Sequence, residues 1–135
     1  MVGADIRFIN PPSLANFGTF SQVAVVTGGR TIHISGQVAW DRDGKLVAPG
    51  DLRAQTVKVL ENLRDALTAA GAGFNDVVKF TIYVVDLKAE DRAVISEIRN
   101  GFIDTTRPPA STMIGVSALV VPGARIEIEA VAALP

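Results

Sequence analysis

Cysteine is missing from all 135 residues of the chain, which excludes a disulfide frame, a thiolate metal cluster and a cysteine nucleophile. The one histidine, His33, is too few for a multi-histidine metal site within one chain. Neither sign of charge predominates: 13 Lys and Arg face 14 Asp and Glu, a formal net charge of -1, so nothing draws a polyphosphate in from long range. Aromatic residues amount to 6%, too few to build the stacking platform of a single-stranded nucleic acid, and no nucleic-acid partner is expected. Every apolar run is broken by Gly, Pro or a charge well before the ~20 residues that span a bilayer. The opening Met1-Val2-Gly3-Ala4-Asp5-Ile6-Arg7 lacks the basic start and the ~7 to 15 apolar residues of an export signal. Together these absences predict a cytoplasmic protein with no membrane partner.

What is present is a globular balance: 48% hydrophobic and 20% charged residues exclude intrinsic disorder. The length is that of one ~150-residue domain, able to bury ~65 to 70% of its extended surface, so residues 1–135 are expected to form a single unit. Gln22 to Val26 and Thr31 to Ser35 are β-branched runs around Thr27-Gly28-Gly29-Arg30, a pattern that predicts a hairpin. Pro49-Gly50-Asp51 punctuates a helix start, and Leu52, Thr56, Val59, Leu60, Leu63, Ala66, Leu67 and Ala70 recur at 3 and 4 spacing up to Gly71. That spacing predicts a helix over 51–70. Val77 to Val85 reads as a central strand, and Val94, Ile95, Ile98 and Phe102 predict a second helix from about Asp91 to Ile103. Arg107-Pro108-Pro109 stops it, because proline lacks the N–H and restricts the residue before it. Ser111 to Val120 and Arg125 to Ala132, joined by Val121-Pro122-Gly123-Ala124, predict a closing hairpin. The order is β-β-α-β-α-β-β, with a further short strand at Arg7 to Ile9.

Two helices cover only one face of such a mixed sheet. Alternation assigns Ile32, Ile34, Val38, Val78, Phe80, Ile82, Val84, Ile126 and Ile128 to the helix side. The opposite set is half polar: Thr31, His33, Ser35, Gln37, Lys79, Thr81, Tyr83, Glu127, Glu129 and Val131. Such a face is either solvent surface or an oligomer interface lining a polar cleft, and the pattern alone leaves both open.

Four segments carry a resemblance that covers nearly the whole chain: Ile34-Ser35-Gly36-Gln37, then Val78-Lys79-Phe80-Thr81-Ile82-Tyr83-Val84-Val85-Asp86-Leu87, then Arg107-Pro108-Pro109-Ala110, and Pro122-Gly123-Ala124-Arg125-Ile126-Glu127-Ile128-Glu129-Ala130-Val131-Ala132. In order and separation they resemble the reactive-intermediate deaminase family, also called YjgF or UK114-like. The resemblance implies an α+β, chorismate-mutase-like mixed sheet with two helices on one face, assembled as a barrel-cored homotrimer with small-molecule clefts between subunits. It implies hydrolysis of 2-imino acids or their enamine tautomers, with no metal or cofactor.

An imine carbon is already electrophilic, so the chemistry needs a placed water, a hold on the substrate and a proton for the departing ammonia. By resemblance Glu129 is the acidic residue that orients or deprotonates the water, and Ser35 and Gly36 wall the cleft. Phe20 stands where the family often has tyrosine, keeping the aromatic wall without its hydroxyl. The main departure is Ser111, which follows Pro109-Ala110 where deaminating relatives have arginine. A guanidinium holds a carboxylate through two charge-assisted bonds of ~1.5 to 3 kcal/mol each, which a serine hydroxyl cannot replace. A few kcal/mol of lost transition-state binding is ~100-fold or more in rate, so the substrate is expected to be an imine or enamine that need not carry a carboxylate. Arg107 and Arg125 are the candidates to bring a guanidinium back, against an alternative use of each at the surface or a turn. Glu129 has the alternative of an interface ion pair, His33 that of a hydrogen-bonded interface histidine rather than a base. Ser111 and Thr112 either bind a neutral or phosphorylated ligand or make ordinary strand hydrogen bonds. A trimer that binds a metabolite without turning it over is the alternative function, motivated by Ser111.

Overall fold

The computed structural model describes residues 5–135; residues 1–4, where the export-signal reading begins, lie outside the described residues. The chain runs β1 (Asp5–Ile9), β2 (Val23–Thr27), β3 (Arg30–Gln37), α1 (Leu52–Ala69), β4 (Val77–Val85), α2 (Asp91–Asn100), β5 (Ala110–Val116) and β6 (Ile126–Leu134), with one 3-10 turn at Phe74–Asp76. Asp51 starts α1 as expected, its carboxylate accepting from the Ala54 N–H at 3.0 Å. The second helix stops before Ile103 because its last turns tighten: Gly101 N donates to Ile98 O at 3.1 Å and Phe102 N to Arg99 O at 2.9 Å.

Strand order in the main sheet is β3-β6-β4-β5, with β6 antiparallel to both neighbours and β4 parallel to β5. The parallel pair follows from α2, which carries the chain back over the sheet as a βαβ crossover. Neither predicted hairpin forms. Gly28 and Gly29 do make a turn with φ of 72° and 76°, but β2 pairs with β1 in a separate two-stranded ribbon, while β3 pairs with β6. β5 ends at Val116 on the sheet edge, and the following segment carries the chain to the other side of β4, where β6 inserts against β3. Strand-forming residues announce a strand, but its partner is chosen by non-local packing.

Both helices cover one face. Val59, Leu60, Leu63 and Leu67 of α1 meet Phe80, Ile82, Val84, Ile126 and Ile128, with Ile95 of α2 completing the core. Val78 departs from its assignment: the β4–β6 register slips between Val77 and Lys79, so Val77 and not Val78 joins the core cluster. Two polar side chains of α1, Gln55 and Thr56, are wholly inside. Gln55 of α1 donates from Nε2 to Ala48 O and Gly123 O, both at 3.0 Å, and accepts from Arg125 N at 2.7 Å, tying the loops before α1 and β6 together.

Candidate functional site

On the helix-free face, register places Thr81 beside both Glu129 and Thr112, and Tyr83 beside Glu127. β3 adds two residues at one level, because pairing passes from Ile34–Ala130 to Gln37–Ile128 and leaves Ser35 and Gly36 opposite Glu129 alone. Gly36 lies against the Glu127 side chain, and a Cβ there would force that carboxylate to swing aside. The Tyr83 hydroxyl donates to Glu129 Oε1 at 2.5 Å. That bond raises the Tyr83 pKa above its ordinary 10.0, with desolvation and the nearby charges of Glu129 and Glu127 acting the same way. Lys79 Nζ donates to Thr112 Oγ1 at 2.8 Å. His33, Ser35, Lys79, Thr81 and Glu129 line a cavity of about 350 Å³ on this face.

A second cavity, of about 630 Å³, lies on the helix side between α2 and the start of β5. Its wall is assembled by the segment before β2. Ser21 bridges to Ala110, with Ser21 N donating to Pro109 O at 3.1 Å and Ser21 Oγ to Pro108 O at 2.6 Å, which sets Phe20 alongside Ser111. From α2, Arg92, Ser96 and Arg99 reach the same cavity, their i, i+4, i+7 spacing placing them on one face. Arg99 Nη2 donates to Thr19 O at 2.6 Å and so pins the segment from the other side. The Arg99 pKa is lowered from its ordinary value by burial.

The sheet therefore divides the residues singled out in the sequence. Glu129, Ser35, Gly36 and Thr112 lie with the helix-free face, whereas Phe20 and Ser111 line the helix-side cavity. Ser111 pairs with Phe80, whose ring is in the core, so Ser111 and Glu129 project from opposite faces of one chain. The two arginines considered as substitutes line neither cavity. Arg107 stacks on the Phe8 ring at 5.4 Å and donates from Nη2 to Ile6 O at 3.3 Å, an anchor for β1. Arg125 donates to Val85 O at 3.1 Å, Asp86 O at 3.3 Å and Asp91 Oδ2 at 3.2 Å, tying the end of β4 to the start of α2. Sequence reasoning missed Arg99 and Arg92; the signal was a cationic i, i+7 stripe flanking the apolar one in the second helix, on the side of Ile95. Among the described residues no group of three His, Cys, Asp or Glu is placed to hold a metal ion.

Comparison with known proteins matches residues 11–134 to the family described as Endoribonuclease L-PSP. The chain is 38% identical over 118 residues to the 2-iminobutanoate/2-iminopropanoate deaminase of Mus musculus, covering 87% of this chain and 83% of the mouse protein. It is 37% identical over 115 residues to protein DfrA of Myxococcus xanthus, covering 85% of each. Among solved structures, the Rid-family protein YyfB of Yersinia pestis, described as of unknown function, superposes with a TM-score of 0.89 at 42% identity, covering 95% of this chain and 98% of that one.

Proposed function

The chain belongs to the Endoribonuclease L-PSP, or reactive-intermediate deaminase, family, and from that premise we propose that it is a cofactor-independent hydrolase of small imines or enamines. Residues 1–135 act as one unit within a cytoplasmic homotrimer, its clefts lying between subunits. The observation that carries the activity is the Tyr83–Glu129 hydrogen bond at 2.5 Å, beside a cavity that Ser35 and Lys79 also line. The division of Ser111 and Glu129 between opposite sheet faces supports the assembly, because one cleft can hold both only if a second copy supplies one of them.

In the cleft, Glu129 accepts a proton from a water molecule as that water's oxygen attacks the imine carbon. The C=N π pair moves to nitrogen, which takes up a proton from solvent, and a tetrahedral carbinolamine forms. Glu129 then passes the proton it took from water to nitrogen; the carbinolamine O–H gives its proton to solvent as its bonding pair forms the carbonyl, and the C–N bond breaks to release ammonia. The net reaction is imine plus water to carbonyl plus ammonia. Tyr83, kept protonated by its carboxylate partner, holds Oε1 of Glu129 so that the other oxygen faces the water. The names of the mouse and other mammalian relatives support this reading over the non-catalytic trimer.

The test generates 2-iminobutanoate in situ with an amino-acid oxidase and traps it with semicarbazide. The wild-type chain is expected to lower the trapped fraction, and Glu129→Gln to lose ~100-fold or more of that competition. No competition from folded wild-type protein would sink the hydrolase reading.

A further inference from the structure

We propose that the helix-side cavity between α2 and the start of β5 binds the carboxylate of a small 2-oxo or 2-imino acid, and that Arg99 is the residue holding it. Three cations, Lys88, Arg92 and Arg99, line that cavity and none of its lining residues is acidic. Lys88 is already engaged, its Nζ lying 3.1 Å from Asp86 Oδ2. Arg99 is different. It is 5% exposed, its Nη2 bonds a single backbone carbonyl, and its Nε, shut off from solvent, has no hydrogen-bond partner. Among the described residues no carboxylate stands within ion-pair distance of it, whereas Arg53, Arg64 and Arg125 each have one. A buried guanidinium normally carries a paired anion, and an unsatisfied buried N–H is rare enough to require an explanation.

A ligand carboxylate supplies what is missing. Its two coplanar oxygens match the guanidinium fork, and it brings the one negative charge that the buried cation lacks. The Ser111 hydroxyl adds a neutral donor, while Phe20, Leu87 and Met113 offer apolar wall for a short carbon chain. Ser111, which occupies the position of the family's arginine, lines the same cavity as Arg99, so the guanidinium returns from the facing helix and not from Arg107 or Arg125. The restriction on carboxylate substrates expected from Ser111 alone is thereby lifted. The choice of acid rests on the hydrolase reading; the anion site itself does not.

Calorimetric titration of the full chain with 2-oxobutanoate, a stable acid of the product type, tests the site without any turnover. Wild type is expected to bind, and Arg99→Met to weaken Kd by ~30-fold or more. Arg99→Met also removes the bond that pins Thr19, so Ser111→Asp is the second variant. It sets a carboxylate in the cavity beside the guanidinium, and should abolish 2-oxobutanoate binding while raising Tm. Unchanged Kd in folded Arg99→Met, unchanged binding in Ser111→Asp, or inorganic phosphate bound in preference to the oxo acid would each overturn the proposal. The imine-trapping assay on the same proteins separates the two readings. Oxo-acid binding that needs Arg99, without any imine competition, sinks the hydrolase and leaves the site. Imine competition and oxo-acid binding both indifferent to Arg99→Met remove the site and leave the hydrolase.

Discussion

Gln55→Leu should cost this protein about 2 to 4 kcal/mol of stability, although leucine is apolar, similar in volume and placed in the core. The wild-type amide is 0% exposed and makes three hydrogen bonds, to Ala48 O, Gly123 O and Arg125 N. The two carbonyls are not stranded by its removal, because Ala48 O also accepts from Asp51 N at 3.0 Å and Gly123 O from Gly50 N at 3.1 Å. The Arg125 N–H does lose its acceptor, a penalty of about 1 to 3 kcal/mol, and each weakened carbonyl adds about 0.5 to 1 kcal/mol before the apolar gain offsets part of it. With an unfolding entropy of about 2.1 cal/mol/K per residue, 135 residues give about 0.28 kcal/mol/K, so the loss corresponds to roughly 7 to 14 °C in Tm. Gln55→Glu should be worse than leucine, since it keeps the acceptor for Arg125 N but turns a buried negative charge toward two carbonyl oxygens. Thermal unfolding followed by circular dichroism, at one fixed protein concentration, measures both. A leucine variant within 2 °C of wild type, or a glutamate variant milder than leucine, would refute the reasoning.

Tyr83 is the sole tyrosine, so absorbance at high pH reports its phenolate alone. Its midpoint should lie above 10.0 and fall toward that value in Glu129→Gln, which removes the carboxylate that disfavours the phenolate. Because the folded pKa is raised, the stabilisation it brings is complete below about pH 10 and disappears as pH climbs through the folded value; a wild-type midpoint at or under 10 would contradict the hydrogen bond. Asp91→Ala removes the acceptor of Lys88 N at 2.9 Å and the ion pair with Arg125, whose side chains are only 11% and 21% exposed respectively. Chemical denaturation should show a loss of about 2 to 3 kcal/mol, and a change below about 0.5 kcal/mol would mean that the end of β4 and the start of α2 do not depend on this pair.

The α-helix over Leu52–Ala69 and the β4 strand over Val77–Val85 were legible because their signals are local: side-chain period, a capping aspartate, β-branched runs. The family resemblance was legible for a related reason, since its motifs occupy contiguous stretches. Strand partners were not. Gly28-Gly29 turns the chain as two glycines should, yet it joins strands of different sheets, and the segment after β5 crosses β4 where a hairpin was expected. Gln55 was passed over in an apolar stripe because no local rule says that three backbone groups from two distant loops will converge on it.

By itself the sequence determined where the helices and strands lie, though not their ends, since α2 stops at Asn100 and β5 at Val116, and which side of the sheet most strand residues face, because alternation and helical period are properties of neighbouring residues. One bulge was enough to break that rule at Val78. Only the tertiary structure decided which chemical groups share a cavity. It set Phe20, Ser111 and Arg99 together, put Glu129 on the other face, and gave Arg107 and Arg125 to scaffolding. Those juxtapositions depend on contacts between residues tens of positions apart, where burial, charge and hydrogen-bond satisfaction act on the folded chain as a whole.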